Sequence, residues 1–296
     1  MDRIEITGLS IPELKLYTEL NEPQLLHYYE PKGGIFIAES AAVIERALDA
    51  GCEPVSFLIE RKMEEGNEDL FNRWEGIPVY VGELSVLREL TGYTVTRGML
   101  CAMKRPPLRD AGEICERAER VVVLEDITNP TNVGAIFRSA AALGMDAVLL
   151  TPRCSDPLYR RAVRVSVGTV FQIPWAYIDR DCPGFLKEHG FETAAAALKP
   201  DAISPDAPVL KSADRLAVFF GSESTGLRQD TIDRCDRIIK IPMNLNVDSL
   251  NVAAASAVIF WELSKNRIRE GRCSSSVNNR RHWDILMSFF SIFVNV

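Results

Sequence analysis

Arg138 stands where core packing would call for leucine. It ends the stretch NPTNVGAIFR (129–138), set between the apolar run VVVLEDI (121–127) and SAAALGMDAVLL (139–150). Asn129 or Thr131 can cap a helix here, and Pro130 suits its first turn. In such a helix residues 134 and 138 lie one above the other and side chains lean toward the N-terminus. Arg138 is therefore expected to reach back over Gly134, whose missing side chain leaves room for the guanidinium or for a ligand. A helix N-terminus beside the C-terminal edge of a strand is also where ligands settle in open α/β sheets. The competing expectation is an ion pair of Arg138 with Glu125 or Asp126.

Two later stretches carry polar residues in comparable settings. In LAVFFGSESTGL (216–227) a strand ends at Gly221, and its turn holds Glu223 before Gly226. Leu227 and Arg228 replace the Lys-Ser/Thr pair of a phosphate-binding loop, and no G-x-G-x-x-G follows either strand. On its own this stretch describes an ordinary tight turn. In IPMNLNVDSLNVAAASAVIFWEL (241–263) a strand is expected to end at Pro242 and a polar loop to follow. Asp248 or Ser249 then caps an alanine-rich helix that buries Leu250, Ala254, Val258 and Trp261 on one face. Burial does not explain why Ser249 and Asn251 both bring hydrogen-bonding groups to its start.

The elements that must position these residues read as two α/β series. Residues 35–104 alternate strand-like and helix-like runs: IFIAE, SAAVIERALDAG, VSFLIE, IPVYVG, ELSVLRELTG and GMLCAMKR. A proline-containing charged segment over 106–119 reads as a linker. From Val121 onward, strand, helix and strand imply βαβ units on a parallel sheet. The organisation expected is a small α/β domain at 1–105, a larger one at 120–268, each with its own core, and a separate tail at 269–296.

Composition narrows the function. The 296 residues hold seven cysteines, at 52, 101, 115, 154, 182, 235 and 273, with no C-x-x-C pair, which argues against a disulfide framework and against a zinc site. Only three histidines occur, at 27, 189 and 282, none in the three stretches, which disfavours a histidine-based hydrolase. The N-terminus lacks the apolar run of a signal peptide, and ILMSFFSIFVNV near the end is too short to span a bilayer, so a cytoplasmic protein is expected. The net charge of −7 lies in the first third, where 11 Lys and Arg face 18 Asp and Glu; the remainder balances at 23 against 23. Any surface for nucleic acid must be local.

Together the three stretches resemble the signature motifs of the SpoU/TrmH family of RNA ribose methyltransferases, in the SPOUT superfamily. The first motif is matched by Asn132, Gly134 and Arg138, and the second by Gly221, Glu223, Gly226 and Leu227. Ile241 to Met243 and Ser249 to Val252 match the third. The resemblance is strong over about residues 118–268. It implies a parallel α/β sheet with a trefoil knot, the exception to unknotted topology. It also implies S-adenosylmethionine held by Gly221, Ile241, Met243 and Leu250, and a homodimer in which the alanine-rich run 253–257 and Trp261 suit a close helical contact. Residues 1–105 look like the family's substrate-binding domain, though their acid excess departs from what an RNA-docking lobe should have.

The implied reaction is methylation of a ribose 2′-hydroxyl. Asn132, Arg138, Glu223, Ser249 and Asn251 are its expected polar residues. A guanidinium is not deprotonated in proteins, so Arg138 suits phosphate binding and oxyanion stabilisation better than proton removal. In YRRAVRVSVGTV (159–170), Arg160, Arg161 and Arg164 are expected to contact RNA phosphates, with Ser166 and Gly168 shaping the loop. The domain layout favours ribosomal over transfer RNA. No metal is required. The competing readings are a non-catalytic RNA-binding or ribosome-assembly protein on the same fold, and a nucleotide-dependent oxidoreductase, which the missing glycine fingerprint disfavours.

Overall fold

The computed structural model describes residues 2–29, 33–88, 98–178, 181–245 and 249–269. The expected tail lies outside the described residues beyond Arg269. Strands β1 (Asp2–Glu5), β2 (Ile35–Glu39), β3 (Pro54–Glu60), β4 (Pro78–Gly82) and β5 (Met99–Lys104) form one sheet in the order β1-β4-β3-β5-β2. The first three of that order run parallel, and β5 is antiparallel to both its neighbours. The buried Tyr17 hydroxyl ties the first helical segment to this sheet: it lies 2.7 Å from the Ser56 carbonyl and accepts the Ala102 N–H at 3.1 Å.

The second sheet contains β6 (Arg120–Leu124), β7 (Ala147–Leu150), β8 (Trp175–Tyr177), β9 (Glu192–Ala196), β10 (Leu216–Phe220) and β11 (Arg237–Ile239). Its order is β11-β9-β10-β6-β7-β8 and every pair is parallel. Helices cover both faces, which is why β6 and β10 are buried at every position and, apart from Arg120, apolar. β11 stops at Ile239, three residues short of the expected end at Pro242.

The chain fills this sheet outward through β6, β7 and β8, then returns to the other side and lays β10 beside β6. That reversal opens a crevice beyond the strand ends, where open α/β sheets bind ligands. Alternate residues serve opposite faces. Val122, Leu124, Val218 and Phe220 pack in the cluster with residues of the helices Pro130–Ala142 and Val252–Arg269. Val121, Val123, Ala217 and Phe219 pack with residues of the helices Ala111–Arg117 and Cys182–Glu188.

Two expectations about organisation need correction. Within 106–119, residues Ala111–Arg117 form a helix capped by Asp110, and its Ile114 and Cys115 join the core of the second sheet. The extended connection is therefore short. Nor are the two cores separate, because one hydrophobic cluster runs from Phe36, Val43 and Phe57 through to Val122, Phe137 and Phe220. Phe36 meets Phe171 across the seam at 5.3 Å between ring centroids.

Candidate active site

The crevice begins with Glu125, the residue after β6, which is 1% exposed. It accepts the Arg228 N–H at 2.7 Å, the Arg228 guanidinium at 3.1 Å and the Thr231 hydroxyl at 2.6 Å. A buried carboxylate requires such donors, and these three pin the segment after the Gly221–Leu227 turn to the end of β6. The next residue, Asp126, accepts the Thr151 hydroxyl at 2.8 Å and faces Arg153 at 3.6 Å. Neither acid pairs with Arg138, so the expected alternative ion pair does not form. Reasoning from sequence missed the Glu125 anchor; the available signal was an acid closing an otherwise apolar strand.

Asn129 caps the Pro130–Ala142 helix, its Oδ1 accepting the Thr131 N–H at 2.9 Å, with Pro130 in the first turn. Asn132 is buried, and its Oδ1 accepts from Asn251 Nδ2 at 3.2 Å. Gly134 has a different role from the one expected. A Cβ there would lie 2.5 Å from the Ala162 carbonyl oxygen and 3.0 Å from its Cα. The bare Cα admits the backbone of the Arg160–Val165 helix, leaving no space for a guanidinium or a ligand.

Six residues correspond to about 600° of helical rotation, which places Arg138 roughly 120° around the axis from Asn132. Arg138 is exposed and has no hydrogen bond or ion pair among the described residues. It lies near Arg46 of the first lobe. Burial first, then the Arg138 charge, hold the pKa of Arg46 below its usual value.

The second stretch folds back on itself. A Cβ at Gly221 would lie within 2.3 Å of the Gly226 and Leu227 backbone, and Gly226 has φ +67°. Both positions need glycine. Ser222 receives the Gly226 N–H on its carbonyl at 2.9 Å, and its hydroxyl lies 2.8 Å from that of Thr225. Glu223 is exposed in this turn, and the following Leu227 is buried in the core.

In the third stretch Ile241 and Met243 are half-buried, while Leu245, Ser249 and Leu250 are exposed. Asp248 lies outside the described residues. The helix cap is Asn251 rather than Ser249: its Oδ1 accepts the Ala253 N–H at 3.0 Å while its amide nitrogen donates to Asn132. Asn251 thus fixes its own helix and joins the first stretch to the third. The face of this helix expected to be buried is its outer one. Leu250, Ala254, Val258 and Trp261 are exposed, whereas Val252, Ser256, Ile259, Phe260 and Leu263 pack inward.

The arginines of 160–164 are less free than expected. Arg160 Nε and Arg164 Nη1 stand 3.6 and 3.8 Å from the buried Glu39 of the first lobe, and Arg161 donates to the Thr131 hydroxyl at 2.6 Å. Ser166 is fully buried, and its hydroxyl serves the local turn by bonding the Val163 carbonyl and the Gly168 N–H. It shapes the loop from inside and offers no surface to RNA. Among the described residues no cluster of His, Cys, Asp and Glu could hold a metal ion, and no helix is long and apolar enough to cross a membrane.

The structure therefore joins Asn132 to Asn251 within one chain, while Arg138 faces elsewhere and Glu223 stays at its own turn. Residues 119–261 match the SpoU rRNA Methylase family. An uncharacterised tRNA/rRNA methyltransferase of Mycobacterium tuberculosis is 35% identical over 260 residues, 86% of this chain and 89% of that protein. A 23S rRNA (guanosine-2′-O-)-methyltransferase of Acinetobacter baylyi is 27% identical over 200 residues, 65% of this chain and 80% of that one. Among solved structures, an AdoMet-bound rRNA methyltransferase of Sinorhizobium meliloti superposes with TM-score 0.74 at 22% identity, covering 89% of this chain and 98% of its own. An RNA 2′-O ribose methyltransferase superposes with TM-score 0.72 at 25% identity, over 90% and 99%. The fold is that of the SPOUT methyltransferases. The chain belongs to the SpoU family and is an RNA methyltransferase.

Proposed function

We propose that the protein transfers a methyl group from S-adenosylmethionine to a ribose 2′-hydroxyl of RNA, ribosomal in preference to transfer RNA, and acts as a cytoplasmic homodimer with the knotted chain path of its family. The observation that carries this reading is the Asn132–Asn251 hydrogen bond, which joins the first and third motifs at the sheet's reversal point. The names of the relatives favour ribose and ribosomal RNA.

The residues present fit the cofactor. Gly221 and Gly226 bring two backbone segments together at the end of β10, and Ile241, Met243 and the exposed Leu250 supply apolar surface for an adenosine. When bound, S-adenosylmethionine supplies a methyl group on a cationic sulfur. Asn132 and Asn251 hold each other in place beside the reacting nucleotide, and Ser249 and Glu223 complete the polar rim. Arg138 contributes a fixed positive charge that steadies a phosphate and the developing negative charge on the 2′-oxygen.

Because Arg138 faces away from its own Asn132, it serves best at a site shared with a second subunit. The exposed Leu250, Val258 and Trp261 offer the apolar face for that contact. The test is transfer of labelled methyl from S-adenosylmethionine to bacterial ribosomal and transfer RNA, with mapping of 2′-O-methyl positions. Label in one ribosomal RNA at a ribose supports the reading. Base methylation, or a protein that binds RNA but no S-adenosylmethionine, defeats it.

A further inference from the structure

Six arginines gather along the seam between the two lobes, and the described acids do not balance them. Glu39 is shared by Arg160 and Arg164. Glu22 is engaged with the Arg160 backbone N–H at 2.7 Å, and Asp156 with Arg105 at 2.5 Å. Arg161 has a neutral hydroxyl as partner, and Arg138 has no partner among the described residues. Arg46, from the helix Ala41–Asp49, donates to the carbonyl of Val167. Its side chain passes over Gly168, where an added Cβ would lie 3.3 Å from Arg46 Cδ, 3.4 Å from Arg46 Cβ and 3.5 Å from Val43 Cα. Gly168 has φ +79° and Val167 φ +53°, a conformation that non-glycine residues adopt rarely. The loop is bent to receive Arg46. The helices that carry Arg46 and Arg138 both pack against the Thr169–Phe171 turn, and there the Arg138 charge acts against that of Arg46 while Glu45 acts in the opposite sense. A half-buried Arg46 beside an exposed Arg138 that has no acid partner among the described residues gains from an anion between the two.

We propose that Arg46 and Arg138 form a composite phosphate site across the lobe seam, and that it takes a phosphodiester of the substrate RNA beside the reacting ribose. The proposal rests on the RNA methyltransferase reading above and adds a residue from outside the three motifs. It also accounts for an acidic lobe in an RNA enzyme. The lobe does not present a basic surface of its own but contributes one arginine at the edge where it meets the second sheet.

Phosphate contacts made by a cation appear in the salt dependence of binding, each worth about 0.7 in the slope of log K against log salt for single strands. The probe is a mixed-sequence single-stranded RNA 20-mer, titrated at several salt concentrations against the full chain. Arg46→Gln keeps a long hydrogen-bond donor for the Val167 carbonyl but removes the charge. It is expected to reduce the slope by about 0.7 and to weaken binding several-fold at low salt. Arg46→Lys keeps the charge and is expected to retain the slope. Lys187→Gln, on a helix across the sheet from Arg138, is expected to change nothing. A wild-type slope in Arg46→Gln overturns the proposal. So does an equal drop in the Gln and Lys variants accompanied by loss of thermal stability, since Arg46 is then only a latch. Binding of S-adenosylmethionine by the wild type is measured separately: its absence would defeat the methyltransferase reading and leave the seam result standing.

Discussion

On one side of the Pro130–Ala142 helix, buried Asn132 accepts from the exposed Asn251 through a half-buried amide hydrogen bond; on another, the Arg138 charge acts on Arg46, and Arg138 has no acid partner among the described residues. The amide side is complete within one chain, because Asn251 spends its oxygen on the helix start and its nitrogen on Asn132. Such a side is organised before any ligand arrives, and preorganised groups lose little on binding. The arginine side is the reverse, with charge assembled from two lobes and left unbalanced. It is stabilised by what it binds. One helix thus carries a fixed half that orients and a charged half that recruits.

Removing Arg138 tests that division most severely. Arg138→Ala is expected to lower methyl transfer by about 10²–10³-fold, the usual cost of losing one donor that stabilises developing negative charge. Affinity for S-adenosylmethionine, measured by calorimetry, is expected to stay at the wild-type value, because Arg138 touches neither the Gly221 turn nor the Ile241 loop among the described residues. Equal losses in affinity and rate would place Arg138 in the cofactor site and dissolve the comparison.

Gly134→Ala attacks the scaffold beneath both halves. Its Cβ would be driven against the Ala162 carbonyl, and overpacking of this kind costs about 1–3 kcal/mol. A lowered urea midpoint is expected. Wild-type stability with lost activity would restore the idea that the glycine makes room for a ligand.

That glycine shows where reading the sequence stops. The three motifs and the buried strands were legible because their signals are local: apolar runs, turn glycines, a capping asparagine before a proline. Gly134 was misread because what fills its space, Ala162, comes from another helix. The stripe Leu250, Ala254, Val258 and Trp261 was correctly seen as apolar but assigned inward, since periodicity marks a face without saying what covers it. Arg160 and Arg164 looked free because Glu39 lies more than a hundred residues earlier. Arg46 carried no local signal at all, and β1 was invisible because all four of its residues are exposed.

Asn251 sharpens the amide half at a smaller scale. Asn251→Ala removes a helix cap, worth about 1 kcal/mol, together with the bond to Asn132. Asn251→Ser can restore the cap but not the reach to Asn132. The serine variant is expected to recover thermal stability relative to alanine while its turnover remains low at unchanged KM. Recovery of both would mean that Asn251 acts only by capping.

The smallest effect is expected on the acid edge of the arginine half. Burial, the largest cause, raises the pKa of Glu22; the Arg160 N–H bond and the Arg160 charge oppose it, Asp156 adds to the rise and Arg105 subtracts from it. A carboxyl whose folded pKa exceeds its unfolded value gives its full stabilisation below the unfolded value, and that is lost as pH rises through the folded one. Glu22→Gln keeps an acceptor for Arg160 N–H and cannot ionise. Its urea midpoint relative to wild type is therefore expected to improve between pH 4 and pH 7. The opposite trend would mean that the Glu22 charge is needed to offset the arginines around it, and that the described acids balance the seam better than their geometry indicates.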